Sequence, residues 1–211
     1  MGQKVTALRV QKGRRRRVNV FLEGEFAFSL HPMVAAKLAR GQELDEEAIA
    51  KLKEEDRLES AYENALHYLS FRPRSEHEIS RHLLEKGYTP DEAAQVLERL
   101  RRVHLVDDRE FAQFWVENRE RFRPRGPWVL RAELRQKGIA APIIEEVLRS
   151  LDEETSALRA AEQAMRRYRH LDEATFRRRM LGFLQRRGFS YGVARQVTEQ
   201  CWRKGAADLQ E

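Results

Sequence analysis

The chain of 211 residues carries 40 Lys and Arg against 34 Asp and Glu, for a net charge of +6, and 35% of it is charged. One cysteine, Cys201, excludes a disulfide scaffold and most cysteine-based metal sites, and eleven Gly with six Pro exclude a collagen-like or low-complexity chain. No run of about 18 apolar residues is available to span a bilayer, and the opening MGQKVTALRV lacks the apolar core of a secretory signal, so a reduced, cytoplasmic protein is expected.

The first thirty residues read as strands. A short run includes Val5 and reaches Val10. Val18–Leu22 and Phe26–Leu30 then flank Glu23-Gly24-Glu25, which is a hairpin signal of β-branched and aromatic residues around a glycine turn. Residues 1–17 hold seven basic residues and no acid, and Arg14, Arg15, Arg16 and Arg17 fall at the tip between the first two strands. From Pro32 onward the pattern is helical. A short helix over Met33–Ala39 is expected to stop at Gly41. Asp45 caps the next helix, with Glu46 and Glu47 in its first turn, where acids suit the helix dipole. Glu54-Glu55-Asp56 then leads into a separate helix from Leu58 to Leu69.

An internal repeat dominates the remainder. Phe71-Arg72-Pro73-Arg74 recurs as Phe122-Arg123-Pro124-Arg125, 51 residues later. Lys86-Gly87 recurs as Lys137-Gly138 at that spacing and as Arg187-Gly188 fifty residues further on. An apolar residue follows each glycine (Tyr88, Ile139, Phe189). Val96, Val147 and Val197 lie nine beyond it, and Leu100, Leu151 and Cys201 thirteen beyond. A period near fifty marks a tandem array. Each glycine suits a left-handed position just past a helix end, and the basic residue before it suits the helix C-terminus. Thr89-Pro90-Asp91-Glu92, Ala141-Pro142 and Ser190-Tyr191 each restart a helix. With the upstream helices Ala61–Phe71, Asp108–Arg121 and Glu153–Arg169, each unit is a three-helix bundle containing a helix-turn-helix. The expected fold is mainly α. It has three tandem bundles at 60–106, 107–151 and 152–205 in an elongated array, preceded by a strand unit with linking helices at 1–59.

Arg72-Pro73-Arg74-Ser75-Glu76 and Leu83-Leu84-Glu85-Lys86-Gly87-Tyr88 resemble the first repeat of the RecX family. Leu105-Val106-Asp107-Asp108, Phe111-Ala112, Trp115-Val116, Arg123-Pro124-Arg125-Gly126 and Glu133-Leu134-Arg135-Gln136-Lys137-Gly138-Ile139 resemble its central part. Phe183-Leu184-Gln185-Arg186-Arg187-Gly188-Phe189-Ser190-Tyr191 resembles its third repeat. The resemblance covers about residues 58–200, and the strand unit resembles an extension of longer members. It implies a regulator, not an enzyme, that binds the RecA recombinase and usually inhibits its filament on single-stranded DNA. Composition and spacing alone do not point to RecA.

The arginines supply the candidate binding residues. Arg72, Arg74, Arg123 and Arg125 either meet phosphate or a partner, for which the guanidinium fork is suited, or pair with nearby acids at a helix boundary where Phe packs and Pro halts the helix. Residues 166–204 hold eleven basic residues against Asp172, Glu173 and Glu199. Arg166, Arg167, Arg177, Arg178, Arg179, Arg186 and Arg187 are therefore read as a polyanion or acidic-partner surface, with a solvated helix face as the alternative. Arg14–Arg17 are either phosphate contacts or a solvated hairpin tip. Trp115, Trp128, Phe114 and Phe122 either stack on nucleic-acid bases or, as their helical spacing favours, belong to cores, with Trp128 the one expected at the surface. Asp107-Asp108 reads as a helix cap and Cys201 as a buried thiol.

Catalysis finds no support in the motifs. The six histidines are scattered, and His77 and His82 are five apart, off the one-face zinc spacing. There is no phosphate-binding glycine loop or nucleophile elbow. No cofactor or metal is expected. The protein reads as a monomer, with weak, non-specific DNA binding. The alternative is a helix-turn-helix transcription regulator. The acids Asp91-Glu92 and Glu145-Glu146 in the helices after Gly87 and Gly138 disfavour it, since they would repel phosphate.

Overall fold

The computed structural model describes residues 2–11, 17–168 and 170–207. Strands β1 (Gln3–Val10), β2 (Val18–Leu22) and β3 (Glu25–Leu30) form an antiparallel meander, and β4 (Glu43–Leu44) pairs with the outer edge of β1, giving the order β3-β2-β1-β4. The β2–β3 turn places Glu23 and Gly24 at φ 48° and 93°, the positive values that a tight two-residue hairpin demands. Val5, Val20, Leu22 and Leu30 of the sheet bury against Val34, Ala35, Leu38, Leu44 and Leu52. Arg14, Arg15 and Arg16 lie outside the described residues.

Helix α1 (Pro32–Ala35) is one turn long, shorter than the Met33–Ala39 expected from sequence. The chain beyond it turns its backbone to the sheet instead. Gly41 N donates to Val5 O at 2.8 Å, and Val5 N donates to Gln42 O at 2.8 Å. Helix α2 (Glu46–Leu69) is continuous over 24 residues, where the sequence reading broke it near Glu54-Glu55-Asp56. It contains no glycine or proline, and two of the three acids at the expected break, Glu55 and Asp56, are held by partners. Asp56 accepts from Arg17 Nη2 at 2.6 Å and from His31 N at 2.5 Å, while Glu55 pairs with Lys37 at 2.7 Å. Asp45 caps α2 as expected, accepting from Ala48 N at 2.7 Å.

Three three-helix domains follow. The first joins the C-terminal half of α2 to α3 (Glu76–Glu85) and α4 (Pro90–Arg102). The second holds α5 (Asp108–Phe122), α6 (Pro127–Gln136) and α7 (Ala141–Arg149). The third holds α8 (Glu153–Tyr168), α9 (Glu173–Arg186) and α10 (Tyr191–Ala207). The repeat register is a register of burial: Leu83, Leu134 and Leu184 are fully buried, as are Ile79, Leu130 and Met180. Each such side chain contributes about 1.5–3 kcal/mol by leaving water. Gly87, Gly138 and Gly188 take φ of 85°, 79° and 90°, so all three helix ends use the left-handed residue the sequence called for. Thr89 and Glu92 form a capping box, and Asp107 caps α5. Cys201 is buried, and burial raises its thiol pKa. Backbone contacts divide the chain into two compact units, residues 1–72 with 79–105 and residues 73–78 with 106–211.

Candidate functional site

Both FRPR segments sit at a helix end, but their phenylalanines stay outside the cores, Phe71 edge-on to the His67 ring and Phe122 under the Arg121 guanidinium. Phe71 is 71% exposed and Phe122 60%, which corrects the expectation that Phe122 lies in a core. Trp128 is 71% exposed, as anticipated. Trp115 is half-buried and donates its indole N–H to Glu133 at 2.8 Å. The reason lies in the chain direction: Pro124 and Gly126 are buried, so the segment is pinned by its backbone and the flanking rings are left outside.

What the segments do is dock onto the helix end of the next repeat. At the first junction, Ser75 Oγ donates to Lys137 O at 2.7 Å, and Lys137 Nζ pairs at 2.6 Å with Glu78, which is 4% exposed. At the second, Gly126 N donates to Arg187 O at 2.9 Å, and Arg187 Nη1 donates to Pro124 O at 3.3 Å. Glycine is needed at 126 because a Cβ there would collide with the Gly188 carbonyl, and Gly188 in turn lies against Val129. These interlocks use Ser75, Glu78, Gly126 and Val129; the sequence motifs include Ser75 and Gly126 with no role assigned, and Glu78 and Val129 stand outside them. The available signal was the small residue that follows FRPR in both copies.

The second junction gathers Arg123, Arg125, Arg167 and Arg187. Burial, followed by the positive charges of Arg125, Arg123 and Arg167, lowers the pKa of Arg187. The Arg187 guanidinium lies 4.9 Å from the Phe183 ring centre. Among the described residues, none of these four guanidinium groups forms an ion pair with a carboxylate, and Arg125 Nε is buried with no hydrogen-bond partner. Arg166, Arg178, Arg179 and Arg186 are exposed.

Arg17 and Arg177, both expected binding residues, pair with carboxylates within the fold. Arg17 turns inward, pairing with Asp56 and donating to Ser29 O at 2.6 Å, so it is not a free hairpin-tip cation. Arg177, expected to have few acids nearby, pairs with Glu173 and Glu199, each at 2.8 Å. The helical return brings in Glu199, which is distant in sequence. Arg72 belongs to the first unit and Arg74 to the second, and both are half-buried. Glu145 and Glu146 fall beyond the first turn of α7 and pair with Arg131 and Arg109, which corrects the view that α7 opens with free acids. Among the described residues no group of three or more His, Cys, Asp or Glu is placed to hold a metal ion, and no helix is long and apolar enough to cross a membrane.

An antiparallel sheet followed by three three-helix domains, with arginines gathered where the FRPR segment of the second meets the turn of the third, defines a modular helical repeat protein. Family models match the chain along its length: the regulatory protein RecX N-terminal domain at residues 3–45, and the RecX first, second and third three-helix domains at 61–100, 107–148 and 152–198. The regulatory protein RecX of Bacillus licheniformis is 34% identical over 194 residues, covering 90% of this chain and 74% of that one. The Bacillus subtilis protein of the same name is 33% identical, covering 93% and 76%. A crystal structure of regulatory protein RecX superposes with a TM-score of 0.75 at 31% identity, over 93% of this chain and 99% of that one. The chain belongs to the RecX family of regulatory proteins.

Proposed function

We propose that this protein regulates the RecA recombinase, as an inhibitor that binds the RecA filament on single-stranded DNA and modulates its ATP hydrolysis, strand exchange and filament growth. The observation that carries this reading is the run of four RecX domain matches along the chain. The arginines at the second junction support it chemically, because a filament loaded with DNA is a polyanion and guanidinium groups without carboxylate partners suit one. In this reading the protein acts in the cytoplasm as a monomer without catalytic activity of its own. The three repeats at 60–106, 107–151 and 152–205 provide the contacts. The test is ATP hydrolysis by RecA on single-stranded DNA, titrated with this protein. A dose-dependent fall in rate is expected, and an unchanged rate at saturating protein would refute the proposal.

A further inference from the structure

The two junctions share one kind of acceptor and differ in charge. In each, the segment after FRPR docks on the carbonyl of the basic residue that precedes the next repeat's turn glycine, Lys137 in one and Arg187 in the other. At the first, the cation is neutralised by Glu78 at 2.6 Å. Fifty-one residues on, the position of Glu78 is held by Val129. The second junction therefore keeps the interlock and loses the acid, with Arg123, Arg125 and Arg167 around Arg187; Arg123 and Arg125 are the repeat counterparts of Arg72 and Arg74.

Arginine stays charged at any physiological pH, so the half-buried guanidinium groups of Arg125 and Arg187 favour an anion beside them, while exposed Arg123 and Arg167 are free to reach one. The fold offers none at ion-pair distance among the described residues, and Arg125 Nε lacks any acceptor. Glu153, which lines the groove beside Trp128, already accepts from Ser190 N at 2.6 Å. Exposed rings flank the arginines in sequence: Phe122 directly precedes Arg123, and Trp128 follows Gly126 by two positions. Guanidinium groups beside exposed aromatic rings are the chemistry by which proteins hold a single strand, with phosphates on the cations and bases stacked on the rings.

We propose that the second junction is a phosphate-binding site for single-stranded nucleic acid, in which Arg123, Arg125, Arg167 and Arg187 contact the backbone and Phe122 and Trp128 stack on bases. This deepens the reading above, since the filament proposed there carries such a strand.

The experiment measures binding of a fluorescein-labelled oligothymidylate to the full chain alone, by anisotropy across a salt series. The wild type is expected to bind with an affinity that falls as salt rises. Arg123→Glu/Arg167→Glu, at two exposed positions, should lose about tenfold or more and flatten the salt slope by about 0.7 for each phosphate contact removed. Val129→Glu, which restores the acid of the first junction, should weaken binding in the same direction. Arg40→Glu/Lys51→Glu makes the same change in net charge at exposed positions of the other unit and should stay within about twofold. Circular dichroism checks that each variant is folded. The assignment is overturned if the wild type does not bind, if the Arg123/Arg167 variant binds like wild type, or if the control loses as much. A variant that keeps the oligonucleotide but no longer inhibits RecA would show that the arginines meet protein, which also overturns it and leaves the functional reading standing. Binding lost in the variant, with no effect of the wild type on RecA, would leave the site standing and remove the functional reading.

Discussion

Replacing Gly126 with alanine isolates the second interlock, because the backbone there is ordinary. Its φ is −73°, so a Cβ meets no conformational strain. At a helix N-cap the exchange of glycine for another residue normally changes stability modestly. Here the added carbon would fall on the Gly188 carbonyl and Phe189 N, backbone atoms that cannot rotate aside. Overpacking of this kind costs about 1–3 kcal/mol. The shift would also break the 2.9 Å bond from Gly126 N to Arg187 O, a further loss of about 1 kcal/mol. The expected total is about 2–4 kcal/mol. Gly87→Ala gives the contrast: φ is 85° with nothing within 4 Å of the new carbon, so only the left-handed strain of about 1–2 kcal/mol applies. Gly138→Ala adds a collision with His77 to that strain. Urea unfolding followed by circular dichroism measures all three. Tryptophan fluorescence reports on the second unit alone, since Trp115, Trp128 and Trp202 all lie in it. A Gly126→Ala variant within about 0.5 kcal/mol of wild type would refute the close approach of residues 126 and 188.

Arg178→Glu should leave stability within about 0.5 kcal/mol, because Arg178 is exposed. Arg177→Glu should lower it by on the order of 1 kcal/mol, because the new carboxylate would face both Glu173 and Glu199. Thermal melts of the two variants distinguish these outcomes, and equal melts would refute the pairing. The carboxyl of Asp172 is held below the usual aspartate range by the Thr175 backbone N–H and then by the Thr175 hydroxyl. Its folded pKa is depressed, so its contribution is complete above the unfolded value of about 3.9 and is lost as pH falls through the lower folded value. Asp172→Ala should therefore destabilise the chain at neutral pH and converge with wild type in strong acid. A difference in urea midpoint that does not shrink with pH would refute the cap.

The parts of the fold that depend on local chemistry were legible in the sequence. The strand hairpin, the caps at Asp45, Thr89 and Asp107, the three turn glycines and the leucines before them each follow from residue type at a fixed offset. The separate helix expected from Leu58 merges into α2 for a non-local reason: Arg17 and Lys37, distant in sequence, hold Asp56 and Glu55 at the expected junction. Arg177 failed in the same way through Glu199. The grouping at the second junction was half legible. FRPR and the Arg-Gly turn were both visible, but their meeting depends on one repeat docking on the next, which a repeat period does not reveal. Phe122 misled because an aromatic at helical spacing near a helix boundary reads as packing, whereas here the buried residues are Pro124 and Gly126.

A tandem array in which each repeat grips the next needs the grip at every junction and a particular charge at none. The first junction joins both demands: Ser75 holds the Lys137 carbonyl and Glu78 neutralises its ammonium, so nothing there asks for a further partner. The second satisfies only the backbone. Gly126 brings the chain close enough to bond Arg187 O, and four guanidinium groups are left around a buried backbone contact with valine in the acid's place. A glutamate at 129 is the remedy the chain already uses one repeat earlier, so its absence is a local conflict between charge and packing. Such conflicts are expected where function, not stability, sets the residue. The same geometry therefore serves as a structural joint at one position. At the next, with one acid missing and exposed rings beside it, it is suited to meet an anion from outside the chain.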